Sequence, residues 1–248
     1  MSKVVLANPD LLKSAVSIIS EIIDEGVFSF NSNGLSLLSP DRTMVAVVDF
    51  KLLPQVFEEF DVSAQIDVGL NLTNLSTILK RVKSSDKLTI NLDTKNKVEL
   101  VVEGEGKRRF ELPVISVSVE RPPIDQLVFS NKVDLESSVL EAGVEDAGII
   151  GDSLILEAGQ ENFKISAKTD TTSSQMELKK GENGLLEIHG SGPVRARYPL
   201  DYLKKMSKAC KLSNQVSLEF GTDYPLRLSF KELDKLNLCF ILAPRVED

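Results

Sequence analysis

One segment of the sequence occurs twice: Leu72-Thr-Asn-Leu75-Ser-Thr-Ile-Leu-Lys80-Arg-Val-Lys83 is similar to Leu200-Asp-Tyr-Leu203-Lys-Lys-Met-Ser-Lys208-Ala-Cys-Lys211. In both copies apolar residues recur at intervals of three and four, which predicts an amphipathic helix. The match continues into the next segment, where Leu88-Thr-Ile-Asn-Leu92 falls on Val216-Ser-Leu-Glu-Phe220. Any two amphipathic helices followed by hairpins could align in this way, but two similar domains are the better interpretation.

The segments around these helices alternate apolar and polar residues with period two, which predicts half-buried strands, for example at Val98–Val102. Turn residues separate such segments at Asn33-Gly34, Glu103–Gly106, Glu182–Gly184 and Gly221–Asp223. Two further helices are predicted, at Leu11–Ile23 and Asp134–Asp146. Four short helices among many antiparallel strands predict an α+β fold with two helices in each domain.

Adjacent Pro122 and Pro123 mark the connection between the two halves, because proline donates no ladder hydrogen bond and favours an extended backbone. We therefore expect an N-terminal domain of residues 1–117, an interdomain connector of residues 118–130 and a C-terminal domain of residues 131–248.

Composition limits the class of protein. The chain has 248 residues, a net charge of −8 and two cysteines, Cys210 and Cys239, which are too few for a disulfide framework. No leader-like segment opens the sequence, and no apolar run approaches the roughly 20 residues that cross a bilayer. These features favour a soluble intracellular protein without membrane association.

The sequence offers little for catalysis. His189 has no cysteine or second histidine at metal-ligand spacing, and neither a phosphate-binding loop nor a nucleophile elbow occurs. Two acidic pairs, Glu58-Glu59 and Glu145-Asp146, could bind magnesium, although such pairs in turns are commonly solvated. We expect no cofactor, no metal and no catalytic residue; a metal-dependent nuclease remains a distant alternative.

Positive charge is concentrated at equivalent positions of the repeat, on the second and fourth predicted helices. In an acidic protein this favours a phosphate-facing surface that contacts a nucleic-acid backbone without reading its sequence, although a solvated helix face is the simpler alternative for either helix alone. The candidate DNA-facing residues, with one lysine of the first helix, are Lys13, Lys80, Arg81, Lys83, Lys204, Lys205, Lys208 and Lys211.

Three segments carry a family resemblance. Val68–Lys80 closely resembles the second-helix motif of the proliferating cell nuclear antigen family. Ser39–Val47 resembles the family's partner-pocket loop and strand, and Leu242–Asp248 is similar to its carboxy-terminal signature. These segments lie at the front, middle and end of the chain, so the resemblance covers its whole length.

The resemblance implies a ring-forming DNA clamp of the archaeal type: a trimer that encircles duplex DNA and acts as a processivity factor in DNA replication and repair. The implied partners are a clamp loader, DNA polymerase, flap endonuclease and DNA ligase, bound through short peptide motifs. The implied location is the cytoplasm or nucleoid of an archaeon, or the nucleus of a eukaryote. Whether the ring is a homotrimer or a heterotrimer stays open, and a checkpoint or structural clamp subunit is an alternative.

The resemblance also implies an apolar pocket for partner peptides and a strand-paired subunit interface. For Val47, a plain core position in a strand is an equal alternative. The pocket residues are Pro40, Met44, Val45, Val47, Ile124, Tyr224, Pro225, Ile241, Leu242, Ala243, Pro244 and Arg245. The interface residues are Arg109, Phe110 and Leu112 on one subunit and Met176 and Leu178 on the next.

One feature departs from the family pattern. The predicted third helix, Asp134–Asp146, carries five acidic residues and no basic one. Either these carboxylates point to helix ends and crevices, or this subunit joins others that carry more positive charge.

Overall fold

The computed structural model describes residues 2–92, 96–118 and 122–245. Residues 119–121 of the predicted connector and residues 246–248 of the predicted signature lie outside the described residues. The helices are α1 (Asp10–Ile19), α2 (Leu72–Leu79), α3 (Ser137–Ile150) and α4 (Leu200–Met206), with 3-10 turns at Pro54–Val56, Ile124–Gln126 and Ser207–Lys211. Among the described residues no helix is long and apolar enough to span a bilayer.

The strands fall into two series. The first series is β1 (Lys3–Leu6), β2 (Glu25–Asn31), β3 (Gly34–Pro40), β4 (Ala46–Leu52), β5 (Glu59–Asp61), β6 (Ile66–Asn71), β7 (Lys87–Asn91), β8 (Lys97–Glu103) and β9 (Lys107–Pro113). The second series is β10 (Asn131–Glu136), β11 (Ser153–Ala158), β12 (Asn162–Lys168), β13 (Ser173–Lys179), β14 (Leu185–Gly190), β15 (Val194–Pro199), β16 (Gln215–Phe220), β17 (Leu226–Glu232) and β18 (Leu236–Leu242).

Both halves of the chain have the same element order: one strand, a helix, five strands, a second helix and three strands. In the first half the neighbouring strands run β5-β1-β7-β8-β9 and β6-β2-β3-β4. In the second half they run β14-β10-β16-β17-β18 and β15-β11-β12-β13. The predicted repeat is therefore present in the topology as well as in the sequence.

By contacts the chain divides into two compact units. The first contains Met1–Arg42, Val48–Pro122 and Glu232–Leu238, and the second contains Thr43–Val47, Pro123–Lys231 and Cys239–Asp248. Buried and exposed residues alternate along the strands, because successive side chains point to opposite faces of a sheet. The buried side chains form the core of each unit. In the second unit Phe163 and Phe220 meet edge to face with ring centroids 6.4 Å apart, so the side chains of β12 and β16 pack against each other.

The structure changes the bounds of all four predicted helices. The first ends at Ile19 and not at Ile23, and the fourth is α-helical only to Met206, followed by the 3-10 turn Ser207–Lys211. The second predicted helix ends early, because α2 stops at Leu79 with Lys80 as its C-cap, so Arg81 and Lys83 lie in the following turn. The third was placed too early, because Asp134 and Glu136 belong to β10 and pair with Ser217 and Gln215 of β16. Sheet pairing overrides the local helical pattern there. The resulting α3 keeps three acidic residues, Glu141, Glu145 and Asp146.

One predicted turn also has a different role. Asn33-Gly34 and Glu103–Gly106 close hairpins, β2-β3 and β8-β9, and Gly221–Asp223 joins the paired strands β16 and β17. Glu182–Gly184, in contrast, joins β13 to β14, which lie in different sheets. The turn residues alone could not distinguish a hairpin from a crossing between sheets.

Candidate functional site

The carboxy-terminal segment lies beside the loop that precedes β4. Strand β18 ends at Leu242, and the next residue, Ala243, donates its N–H to the carbonyl oxygen of Val45 at 2.9 Å. Farther along, the N–H of Arg245 donates to the carbonyl oxygen of Arg197 at 2.7 Å. These two hydrogen bonds hold the backbone of the segment against the second unit.

The side chain of Arg245 adds an ion pair to this segment. Its Nη1 lies 2.6 Å from Oδ2 of Asp152, and both side chains are largely exposed. The hydrogen bond and the charge of Arg245 lower the pKa of Asp152. An exposed pair of this kind contributes little stability, so the two main-chain hydrogen bonds are the main restraint on the segment.

Met44 occupies the tip of the loop before β4 in an unusual backbone conformation. Its φ is 58°, in the left-handed region that side chains other than glycine rarely adopt, and 58% of its surface is exposed. The neighbouring Thr43 forms a hydrogen bond with the hydroxyl of Tyr202 on α4, 2.9 Å between oxygens. The loop thus presents an apolar side chain to solvent and is joined to α4.

A second group of predicted pocket residues lies around the connector and the start of β17. Ile124 is 8% exposed and begins the 3-10 turn Ile124–Gln126. Tyr224 and Pro225 are half-buried. The Tyr224 ring meets Phe129 edge to face, with centroids 5.8 Å apart, and its carbonyl accepts a hydrogen bond from the buried Tyr198 hydroxyl at 2.8 Å.

The remaining predicted pocket residues differ in how far they are exposed to solvent. Ile241 and Leu242 are buried, at 7% and 0% exposure, so they support the surface from below. Met44 and Arg245 are exposed, and the half-buried members are Pro40, Val45, Val47, Ala243 and Pro244. All of these residues except Pro40 fall within the second unit.

The predicted DNA-facing residues of the first unit line a cleft. It has a volume of about 770 Å³ and is lined by five cationic side chains and two carboxylates. Lys13 on α1 donates to the carbonyl oxygen of Val82 at 2.9 Å, and Lys83 pairs with Glu105 at 2.7 Å. Excess positive charge in a cleft focuses the electrostatic potential and attracts anions.

Arg108 is a cation of this cleft that the sequence did not reveal. It lies on β9, and its Nη1 donates to the carbonyl oxygen of Arg81 at 3.0 Å. Its only sequence signal was the run Lys107-Arg-Arg109, which reads as a charged edge strand. Only the fold brings it to the turn that follows α2.

The predicted DNA-facing residues of the second unit lie on α4 and the 3-10 turn after it. Lys205 approaches the ring of Tyr202, with Nζ 5.5 Å from the centroid. The Lys204 chain crosses α3 at Gly148, where an added Cβ would come 2.8 Å from its Cε. Lys204, Lys208 and Lys211 are exposed.

The acidic residues of α3 do not share one environment. Glu141 lies near the thiol of Cys210, and burial together with this carboxylate raises the pKa of Cys210 to about 12. Glu145 and Asp146 are exposed. One carboxylate therefore faces the neighbouring turn and two face solvent.

The predicted interface residues lie on the strands that end two sheets. Among the described residues β9 pairs with β8 and β13 pairs with β12, each on one side only. Both strands have the same alternation of exposure, in which Leu112 and Leu178 are buried and Phe110 and Met176 are half-buried. Arg109 is exposed. Each edge leaves a row of backbone groups for another strand.

Two repeated units of sheets and helices, with a free sheet edge on each, define the architecture of a DNA clamp. A crystal structure of the proliferating cell nuclear antigen from Thermococcus kodakaraensis matches this fold with a TM-score of 0.91 at 24% identity, covering 99% of this chain and 100% of that chain. The PCNA2–PCNA3 complex of Sulfolobus tokodaii gives a TM-score of 0.90 at 30% identity, covering 99% of this chain and 100% of that chain.

Family models agree with the fold. The N-terminal domain of proliferating cell nuclear antigen matches residues 1–121, and the C-terminal domain matches residues 123–245. The chain belongs to the proliferating cell nuclear antigen family. Relatives named DNA polymerase sliding clamp include a Thermococcus gammatolerans protein, 33% identical over 96% of this chain and 94% of that protein. A Nanoarchaeum equitans protein is 31% identical over 98% of this chain and 99% of that protein.

Proposed function

We propose that this chain is a subunit of a DNA polymerase sliding clamp, a processivity factor that encircles duplex DNA and tethers replication and repair enzymes. The observation that carries the proposal is the match of both halves to the two domains of the family. The clamp acts by binding and needs no cofactor or catalytic residue. Residues 118–130 serve as the connector between the domains at 1–117 and 131–248.

The repeat supports a specific subunit interface. In the shared element order β9 is the counterpart of β18, and β13 is the counterpart of β4. The ends of β18 and β4 meet through the hydrogen bond from Ala243 to Val45. Pairing β9 of one subunit with β13 of the next would repeat this junction and remove both exposed edges. Repetition of one such head-to-tail contact closes a ring when the rotation permits.

In such a ring the predicted DNA-facing residues of both units contact the DNA. Arg108 joins the predicted set, because it lines the same cleft as Lys80, Arg81 and Lys83. A ring retains DNA by enclosing it, so weak phosphate contacts are sufficient and sliding is possible. The acidic exterior of a chain with a net charge of −8 is compatible with this arrangement.

Partner proteins bind at the second unit, beside Met44, the connector and the segment that follows Leu242. Clamp loader, polymerase, flap endonuclease and ligase use short peptides with one aliphatic and two aromatic side chains. The exposed Met44 suits such a site, because methionine adapts to different apolar partners. An extended segment next to it supplies backbone groups for an incoming peptide. The protein works inside the cell, where replication takes place.

Primer extension on a primed circular template tests the proposal. With polymerase, clamp loader and ATP, addition of the chain, with any related subunits that its ring requires, should lengthen the products. The Met44→Asp variant should assemble but not lengthen them. Products of unchanged length with the unaltered chain, despite loading, would favour the alternative of a checkpoint or structural clamp subunit.

A further inference from the structure

Arg227 on β17 makes three different contacts with its guanidinium group. Its Nη2 donates to the carbonyl oxygen of Ile124 at 2.9 Å. Its Cζ lies 4.6 Å from the ring centroid of Phe129. Its Nη1 lies 3.5 Å from Oε2 of Glu219, the residue directly opposite on β16. One side chain therefore joins the second unit's sheet to both ends of the segment 124–129.

We propose that Arg227 is a positioning residue for partner binding, which holds the connector in the conformation that receives the peptide. The inference rests on the proposed clamp function, since it assigns a residue to the same partner site. It concerns an internal contact: the Arg227 side chain is 22% exposed and acts through Ile124 and Phe129.

In residues 118 and 122–130, the described part of the connector, the regular structure is one 3-10 turn. This turn is closed by a hydrogen bond from Gln126 to Pro123 at 3.1 Å and a longer one from Leu127 to Ile124 at 3.4 Å. Val128 is 81% exposed, so it contributes little packing. Ile124 is buried, but the neighbouring Asp125 and Gln126 are exposed. A segment with so little burial opens at low free energy, so the contacts of Arg227 should strongly change the population of the open connector.

The contacts at this position favour arginine over lysine. A planar guanidinium stacks on an aromatic face while it donates hydrogen bonds in its own plane. Lysine keeps the charge that faces Glu219, but it cannot stack and donate in this way. The Phe129 ring is itself held by Tyr224, whose carbonyl is bonded to Tyr198. The guanidinium thus connects a fixed aromatic pair to the carbonyl of Ile124.

A connector that is already ordered in the free protein should bind the peptide more tightly. A peptide that binds an already ordered connector does not have to order it on binding, so less binding free energy is lost. Loss of one hydrogen bond and one cation–π contact should weaken peptide binding by about tenfold. The affinity should fall because the connector opens more often, while the fold of the chain stays intact.

The test uses the full chain and four variants: Arg227→Lys, Arg227→Gln, Phe129→Leu and the control Arg195→Gln. Arg195 is also a strand arginine beside a glutamate, with Nε 3.7 Å from Glu157. Amide hydrogen exchange measures opening of residues 124–130. Fluorescence anisotropy measures affinity for a fluorescein-labelled peptide with one aliphatic and two aromatic residues, with an all-alanine version as the blank.

We expect exchange of the connector amides to accelerate about tenfold in Arg227→Gln and Arg227→Lys, with a matching loss of peptide affinity. Arg227→Lys should keep the thermal midpoint of the unaltered chain, which a merely stabilising role would not predict. Arg195→Gln should match the unaltered chain in both measurements. Unchanged connector exchange, or faster exchange with undiminished affinity, would overturn the inference. Failure of the unaltered chain to bind the peptide would instead overturn the proposed partner site, and the inference with it.

Discussion

Arg108 on β9 forms an ion pair with Asp86, which lies in the turn between α2 and β7, with Nη2 2.6 Å from Oδ2. The Asp86 side chain is 3% exposed, whereas that of Arg108 is 39% exposed. Asp86 also accepts a hydrogen bond from the N–H of Lys83 at 3.0 Å. One buried carboxylate therefore fixes the turn that carries Arg81 and Lys83.

Replacement of Asp86 by alanine should destabilise the protein. The backbone N–H of Lys83 and the guanidinium of Arg108 lose a charged acceptor, so the free energy of unfolding should fall by about 1–3 kcal/mol. Denaturant unfolding measures this change. Glu105→Ala is the control, because its exposed pair with Lys83 should contribute less than about 1 kcal/mol. If the two substitutions lower the free energy of unfolding equally, Asp86 does not fix the turn.

Much of the fold could be predicted from the sequence, because period-two strands and the repeated helix pattern are local signals. The ends of the helices could not be predicted from the sequence. Asp134 and Glu136 fit a helical pattern locally, but their pairing with β16 keeps them in a strand. Likewise Arg108 and Arg227 lie in ordinary alternating strands, and only long-range packing brings them to the turn after α2 and to the connector.

Alanine at Lys80, Arg81, Lys204 and Lys208 should weaken association with DNA and flatten its dependence on salt. Each lost phosphate contact should reduce the slope of log K against log salt by about 0.9. Filter binding or anisotropy with duplex DNA at several salt concentrations measures the slope. A control with alanine at Lys51, Lys168, Lys231 and Lys235, which are also exposed, should leave it unchanged. Equal slopes for both variants would show that the predicted set does not face DNA.

A charged residue at a proposed subunit edge should prevent assembly. Phe110→Asp or Met176→Asp places a carboxylate at a half-buried position of β9 or β13, where it would be desolvated on strand pairing. If the chain assembles with itself, sedimentation velocity should report monomers. Leu233→Asp, which alters an apolar residue that is 85% exposed, should assemble normally. Intact oligomers in Phe110→Asp and Met176→Asp would exclude these residues from the interface.

Truncation from Ala243 onward should abolish stimulation of polymerase and flap nuclease, while the ring remains assembled. The truncation removes the hydrogen bonds to Val45 and Arg197 and with them the extended segment beside the pocket. Arg245→Ala is the milder variant, because it removes the side-chain contact with Asp152 and keeps the backbone. Undiminished peptide affinity in the truncated chain would place the partner site elsewhere.

Retention on circular DNA tests whether the protein encloses the duplex. The chain, with any related subunits that its ring requires, is loaded onto nicked circular plasmid by a clamp loader and ATP. The salt concentration is then raised until the phosphate contacts are lost. Gel filtration should show the clamp retained on the circle and released when a restriction enzyme linearises the plasmid. Equal release from circular and linear DNA would show that the protein does not enclose the duplex, since a protein held only by charge cannot distinguish the two.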